Sequence, residues 1–170
     1  MISKKIILTG SFGVGKTSLF NRFIHQQFSD KYLTTIGVKV NNKTIKIEDE
    51  AISMMVWDIA GEVSQDKVPV SYFLGASGII YVMDLSRPLT FVNLETDIQF
   101  LRELVPNGTI LIVANKNDLV TEEQLESILR EMPRPFDYST SAKTGENVEE
   151  LFLDMGRRLL HKKEIGRAHV

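Results

Sequence analysis

The sequence predicts an α/β domain, with a mostly parallel sheet of about six strands, one antiparallel hairpin strand, and helices on both faces. Three observations predict it. The runs Gly78-Ile79-Ile80-Tyr81-Val82-Met83 and Thr109-Ile110-Leu111-Ile112-Val113-Ala114 are apolar on both sides of the strand period, as strands covered on both faces must be. Such runs alternate with segments whose apolar residues recur at helical spacing. Polar clusters then follow several strands at their carboxyl ends, where sheets of this kind bind ligands.

The elements follow in order. Lys4 to Thr9, with Ile6, Ile7 and Leu8, reads as the first strand, and Ser18, Leu19, Phe20, Phe23 and Ile24 open a helix. Gln26 to Gly37 is a polar stretch. Val38 to Ile47 and Ile52 to Ile59 are extended segments joined by Glu48-Asp49-Glu50-Ala51 into a hairpin. A loop from Ala60 to about Pro69 leads to the strand at Gly78 to Met83. Phe91, Leu94, Ile98, Leu101 and Leu104 place a helix over Thr90 to Leu104, stopped by Pro106-Asn107-Gly108. The strand Thr109 to Ala114 follows. Thr121 to Met132 is a helix with Leu125, Ile128 and Leu129 inside, and Phe136 to Ser139 is a short last strand. Val148, Leu151, Phe152, Met155 and Leu159 form one face of a final helix, with Thr144 expected as its N-cap.

Composition narrows the function classes. The 170 residues suit one domain, placed at residues 1–165 with a short tail at 166–170. A net charge of −2 gives no bulk attraction to nucleic acid or an anionic membrane. With no cysteine, disulfides, thiolate catalysis, Cys-based zinc sites and thioether or thioester lipids are excluded. No apolar run approaches the roughly 20 residues of a membrane-spanning helix. Met1 to Lys5 runs directly into a strand, without a signal peptide or a glycine for myristoylation. The expectation is a cytoplasmic protein without a nucleic-acid partner or a lipid anchor in this chain.

Gly10-Ser11-Phe12-Gly13-Val14-Gly15-Lys16-Thr17 lies between the first strand and the first helix, and it reads G-x-x-x-x-G-K-[ST] in the context that motif requires. Glycines let the backbone wrap a polyphosphate closely. Backbone N–H groups from Gly13, Val14, Gly15, Lys16, Thr17 and Ser18, together with the positive helix end, would cradle phosphate oxygens. Lys16 would reach the β- and γ-phosphates, and the Thr17 hydroxyl would ligate Mg²⁺.

Three further strand ends carry Trp57-Asp58-Ile59-Ala60-Gly61, Asn115-Lys116-Asn117-Asp118 and Ser141-Ala142-Lys143-Thr144-Gly145. With Gly13 to Leu19 and Thr35-Ile36-Gly37, these stretches resemble, in order and spacing, the Ras-like small GTPases, closest to the Rab branch. The resemblance spans residues 3 to about 162. It implies a P-loop GTPase domain that binds GTP or GDP with Mg²⁺.

The resemblance also implies roles. Asp118 would accept from the two adjacent N–H donors of guanine, a pattern adenine lacks. Asn115 would brace the loops and contact N7. Lys116 and Lys143 would lay their stems along the base plane, the Ala142 N–H would donate to O6, Phe28 would stack edge-on, and Ser141 belongs to the same guanine-binding set. Asp58 would hold Mg²⁺ through water, Thr35 would complete the metal shell, and Gly61 would donate to the γ-phosphate. Loops at about 27–38 and 60–74 would then be the nucleotide-sensing switches, read by effectors, exchange factors and activating proteins.

Two positions depart from the family pattern. Glu62 stands where a glutamine usually orients the attacking water. Its charge could repel the transition state, or it could act as a base. Phe12 replaces a small residue and would crowd the entry of an arginine finger. Slow or unconventionally activated hydrolysis is therefore expected, the alternative being a scaffold locked with GTP. Val63 to Val70 lacks the usual Rab residues and implies an altered partner surface. The absence of a prenylation cysteine leaves two options, a removed anchor or an unlipidated relative.

Overall fold

The computed structural model describes residues 1–26, 38–59 and 68–168, with 163–168 described by backbone alone. The strands are β1 (Ile2–Gly10), β2 (Val38–Ile47), β3 (Glu50–Ile59), β4 (Ala76–Asp84), β5 (Thr109–Asn115) and β6 (Tyr138–Ser139). The helices are α1 (Lys16–His25), α2 (Leu94–Leu104), α3 (Glu122–Glu131) and α4 (Val148–Ala168). One six-stranded sheet runs β2-β3-β1-β4-β5-β6, parallel except for the β2–β3 hairpin. The predicted α/β architecture is the observed one.

Alternation along each strand builds two cores. Ile6, Leu8, Ile80, Val82, Leu111 and Val113 face α1 and α4, where the Phe23 and Phe152 rings stack with centroids 3.8 Å apart. Their neighbours Ile7, Ile79, Tyr81, Met83 and Ile112 face the other way, onto Leu94, Ile98 and Leu101 of α2 and the partly buried Leu125 and Ile128 of α3. Central strands buried on both faces must be apolar throughout, which is the pattern their sequence carries. Because β1 lies between β3 and β4, the loop after it leaves the sheet where the connections diverge to opposite sides. Open sheets form their ligand crevice at such a point.

Four local expectations are corrected. The helix expected over Thr90 to Leu104 is a 3₁₀ turn at Pro88–Phe91 followed by α2. Thr90 turns inward instead, accepting the Asp84 N–H at 3.0 Å and donating to the Arg87 carbonyl at 2.8 Å, which ties the turn to the end of β4. Leu129 is not inside, being 42% exposed, because the apolar face of α3 is centred on Leu125 and Ile128. The strand at Phe136 to Ser139 is only Tyr138–Ser139, since the Asp137 carboxylate accepts the Ile112 N–H at 2.7 Å. Thr144 does not cap α4: that helix begins at Val148, behind a left-handed Asn147 (φ 60°). The Thr144 hydroxyl accepts the Glu146 N–H at 3.2 Å, three residues too early.

Candidate nucleotide-binding site

The loop from Gly10 to Lys16 needs its glycines for reasons visible in its neighbours. Gly10 (φ 148°) and Gly15 (φ 102°) both have positive φ. A Cβ on Gly10 would lie 2.3 Å from the Val82 carbonyl oxygen, and one on Gly15 would lie 2.2 Å from Asn115 Nδ2. Both are closer than atoms approach, so β4 and β5 press directly on the loop. Gly15 heads α1, whose N-terminus has no side-chain cap and no acidic residue in its first turn. The positive end of the helix dipole thus faces the loop without a side-chain carboxylate of its own first turn to neutralise it, which favours an anion there.

Lys16 is 5% exposed, and its ammonium donates to the carbonyls of Gly10 (3.0 Å) and Ser11 (2.8 Å). Burial pushes its pKa down to about 8; the Asp58 carboxylate opposes that shift and the Arg87 charge adds to it. A desolvated ammonium of this kind gains strongly from an anion brought beside it.

Asp58, the penultimate residue of β3, has no exposed surface. Its Oδ2 accepts the Thr17 hydroxyl at 2.7 Å, whereas its buried Oδ1 has no hydrogen-bond partner among the described residues. Burial raises this carboxyl's pKa, and the Thr17 hydrogen bond and the charges of Lys16 and Lys39 oppose the rise. A buried carboxylate oxygen without a donor is costly unless something fills it. A hydroxyl and a carboxylate beside a phosphate cradle form the hard oxygen set that suits Mg²⁺, so these residues fit the expected metal.

Asn115, 1% exposed at the end of β5, joins the two halves of the site. Its Nδ2 donates to the Val14 carbonyl at 3.0 Å, while its Oδ1 accepts the Thr140 hydroxyl at 3.0 Å and the Ala142 N–H at 3.2 Å. Lys116 is left-handed (φ 66°), and its ammonium donates to the Gly13 carbonyl at 2.9 Å. Ser141, fully buried, donates to Asp118 Oδ1 at 2.8 Å and accepts the Thr144 N–H at 3.0 Å. Asp118 and Lys143 are exposed beside them. The strand-end residues that the sequence singled out at Gly13 to Ser18, Asp58, Asn115 to Asp118 and Ser141 to Lys143 thus meet along the carboxyl edge of the sheet. Phe28, Thr35, Gly61 and Glu62 lie outside the described residues, as do loop residues 27–37 and 60–67.

Three participants were missed in the sequence. Arg22 of α1 donates from Nε to the Ala142 carbonyl at 2.8 Å and from Nη2 to the Lys143 carbonyl, fixing the Ser141–Lys143 loop from behind. No side-chain pattern marks such a residue, because its partners are backbone atoms. Asp84 and Arg87 could have been noticed, since Asp84 is a polar residue at the carboxyl end of the buried strand β4. A cavity of about 550 Å³ lies at the opposite end of the sheet, near Lys4, Ala76 and Gly108, where the strands begin. That is the wrong edge for the ligand of such a sheet.

Comparison with known proteins points the same way. A family model described as "Ras family" matches residues 5–161. The Ras-related protein Rab-13 of Rattus norvegicus is 36% identical, over 93% of this chain and 80% of its own length. The Ras-related protein SEC4 of Saccharomyces cerevisiae is 34% identical, over 93% of this chain and 75% of its own. For the GTP-binding protein ypt1 of Schizosaccharomyces pombe the identity is 34%, covering 95% and 81%.

Proposed function

This chain belongs to the Ras family, on its Rab side, and from that premise we propose that it is a GTP/GDP switch whose intrinsic hydrolysis is slow. Membership makes it a GTP-binding protein of a GTPase family. The finer reading rests above all on Asn115, whose one amide ties the phosphate loop at Val14 to the base loop at Ala142. A frame of that kind suits a single ligand with phosphates at one end and a base at the other.

In this reading Gly13 to Ser18 bind the phosphates. Asp118, held by Ser141, selects guanine, with Phe28, Lys116, Ala142 and Lys143 around the base. Thr17, Thr35 and Asp58 hold Mg²⁺, which when bound neutralises charge on the β- and γ-phosphates. Lys16 and the loop N–H groups stabilise the charge that develops as water attacks in line and the bond to the β-phosphate oxygen breaks. Gly61 donates to the γ-phosphate, and Glu62 occupies the water-orienting position. Segments 27–38 and 60–74 change with nucleotide state and carry the surface that effectors, exchange factors and activating proteins read. Residues 1–165 form the switch domain.

The phenyl ring of Phe12 favours slow turnover: it is 48% exposed at the crest of the phosphate loop instead of filling the core. Nucleotide extracted from the purified protein and followed over time tests the whole reading. GDP accumulating slowly supports it, persistent GTP supports the locked scaffold instead, and adenine nucleotide overturns the base assignment. Single-turnover hydrolysis should accelerate at least about tenfold in Glu62→Gln or Phe12→Gly, given the 10²- to 10⁴-fold scale of general acid–base groups. Unchanged rates in both would sink the slow-hydrolysis reading.

A further inference from the structure

We propose that Asp84 and Arg87, after β4, are positioning residues for nucleotide binding, which hold the phosphate loop in its binding shape through the Phe12 and Gly13 carbonyls. The proposal builds on the nucleotide reading above. Three successive carbonyls of that loop are each taken by a different side chain from outside it. Phe12 O accepts from Arg87 Nη2 at 2.5 Å, Gly13 O from Lys116 Nζ at 2.9 Å, and Val14 O from Asn115 Nδ2 at 3.0 Å. Carbonyls drawn outward turn the N–H groups of the same peptides toward the inner side, the orientation of an anion nest.

Two of those three donors are cations, and Asp84 joins them. Its Oδ2 lies 2.9 Å from Lys116 Nζ and 3.2 Å from Arg87 Nε, and the carboxylate has no exposed surface. Among the described residues no donor is aligned on Oδ2 as a hydrogen bond, so these two contacts are ionic. Its Oδ1 accepts the Ser86 N–H at 2.8 Å and the Ser86 hydroxyl at 2.6 Å, which prevents the carboxylate from turning away. The backbone beneath is fixed as well: Arg87 N–H donates to the Asp84 carbonyl at 3.0 Å, and Thr90 N–H donates to the Arg87 carbonyl at 2.9 Å.

Long cationic side chains lose rotamer freedom when they are ordered. Here a buried carboxylate orders both of them in advance, so the cost falls on folding and not on binding. The Arg87 charge is also felt at Lys16. Two cations that repel each other across a phosphate site are both stabilised by an anion placed between them.

Release of a fluorescent GDP analogue from the intact protein tests the clamp. Arg87→Ala should release it at least about tenfold faster, as expected when a charge-assisted hydrogen bond is lost. The Arg87 side chain is 43% exposed, so the variant should keep its far-UV circular dichroism. Arg87→Lys should recover part of the slow release, because an ammonium can still reach one of the two partners. Asp84→Asn should accelerate release too, and its effect should add to that of Arg87→Ala by less than the sum, as members of one clamp do. A folded Arg87→Ala protein that releases within about twofold of wild type would overturn the clamp while leaving the nucleotide reading intact. Wild-type protein that binds no guanine nucleotide would overturn both.

Discussion

A buried polar side chain with both ends occupied acts as a ruler between the elements it touches. Asn115 sets the distance between the Val14 and Ala142 loops, and the partly buried Tyr138 links β6 to α4 by donating to Asp154 Oδ2 at 2.7 Å. Burial pushes the Tyr138 phenol up to about 12, helped by the hydrogen bond and charge of Asp154 and by Glu150, and opposed by Arg158. The sign follows from linkage. The folded protein holds this proton more tightly than the unfolded chain, so the contribution is complete below the ordinary phenol value of 10.0 and fades as pH climbs toward about 12. Wild type should therefore lose melting temperature faster than Tyr138→Phe between roughly pH 10 and 12. Parallel curves would mean that the tyrosine contributes no alkaline sensitivity.

At the scale of elements, α3 has no fully buried residue and depends on how it starts. Thr121 Oγ1 accepts the Gln124 N–H at 3.1 Å, and Gln124 Oε1 accepts the Thr121 N–H at 2.8 Å, a complete capping box. Thr121→Ala should cost about 1 kcal/mol in denaturant unfolding and speed amide exchange in the first turn of α3, with nucleotide content unchanged. Exchange unchanged through Gln124 would show that the cap is idle. The difference between α3 and α4 shows what a sequence discloses. Thr121 sits next to its helix and was legible as a start. Thr144 had the same chemistry, but Asn147 takes the left-handed turn and donates from Nδ2 to the Ser139 carbonyl, so the helix waits for Val148. Strands buried on both faces were legible because burial demands apolar residues throughout. The strand-end motifs stood out because, in the proposed reading, phosphate, metal and base each need a particular donor. Arg22 grips backbone carbonyls, which leave no trace in a sequence, whereas Asp84 was visible as a polar residue ending a buried strand and only its partners were not.

At the scale of the molecule, the carboxyl edge of the sheet concentrates features that a ligand of the proposed kind would satisfy. Lys16 is desolvated, Asp58 keeps a buried oxygen without a donor among the described residues, and α1 begins without a cap. Each is a cost to the folded chain alone, and each is relieved by an anion or a cation at one place. Stability should therefore be coupled to nucleotide and Mg²⁺ together. Ligand at a hundred times its dissociation constant contributes about 2.7 kcal/mol, which for a domain of this size is roughly 5–10 °C in melting temperature. Chelating the divalent cation should remove a large share of that gain and speed nucleotide release. In Asp58→Asn the chelator should have much less effect, because the amide keeps the shape of the carboxylate without its charge and holds Mg²⁺ weakly. Equal chelator sensitivity in both proteins would separate Asp58 from the metal and leave its buried oxygen to be explained by the segments packed against it.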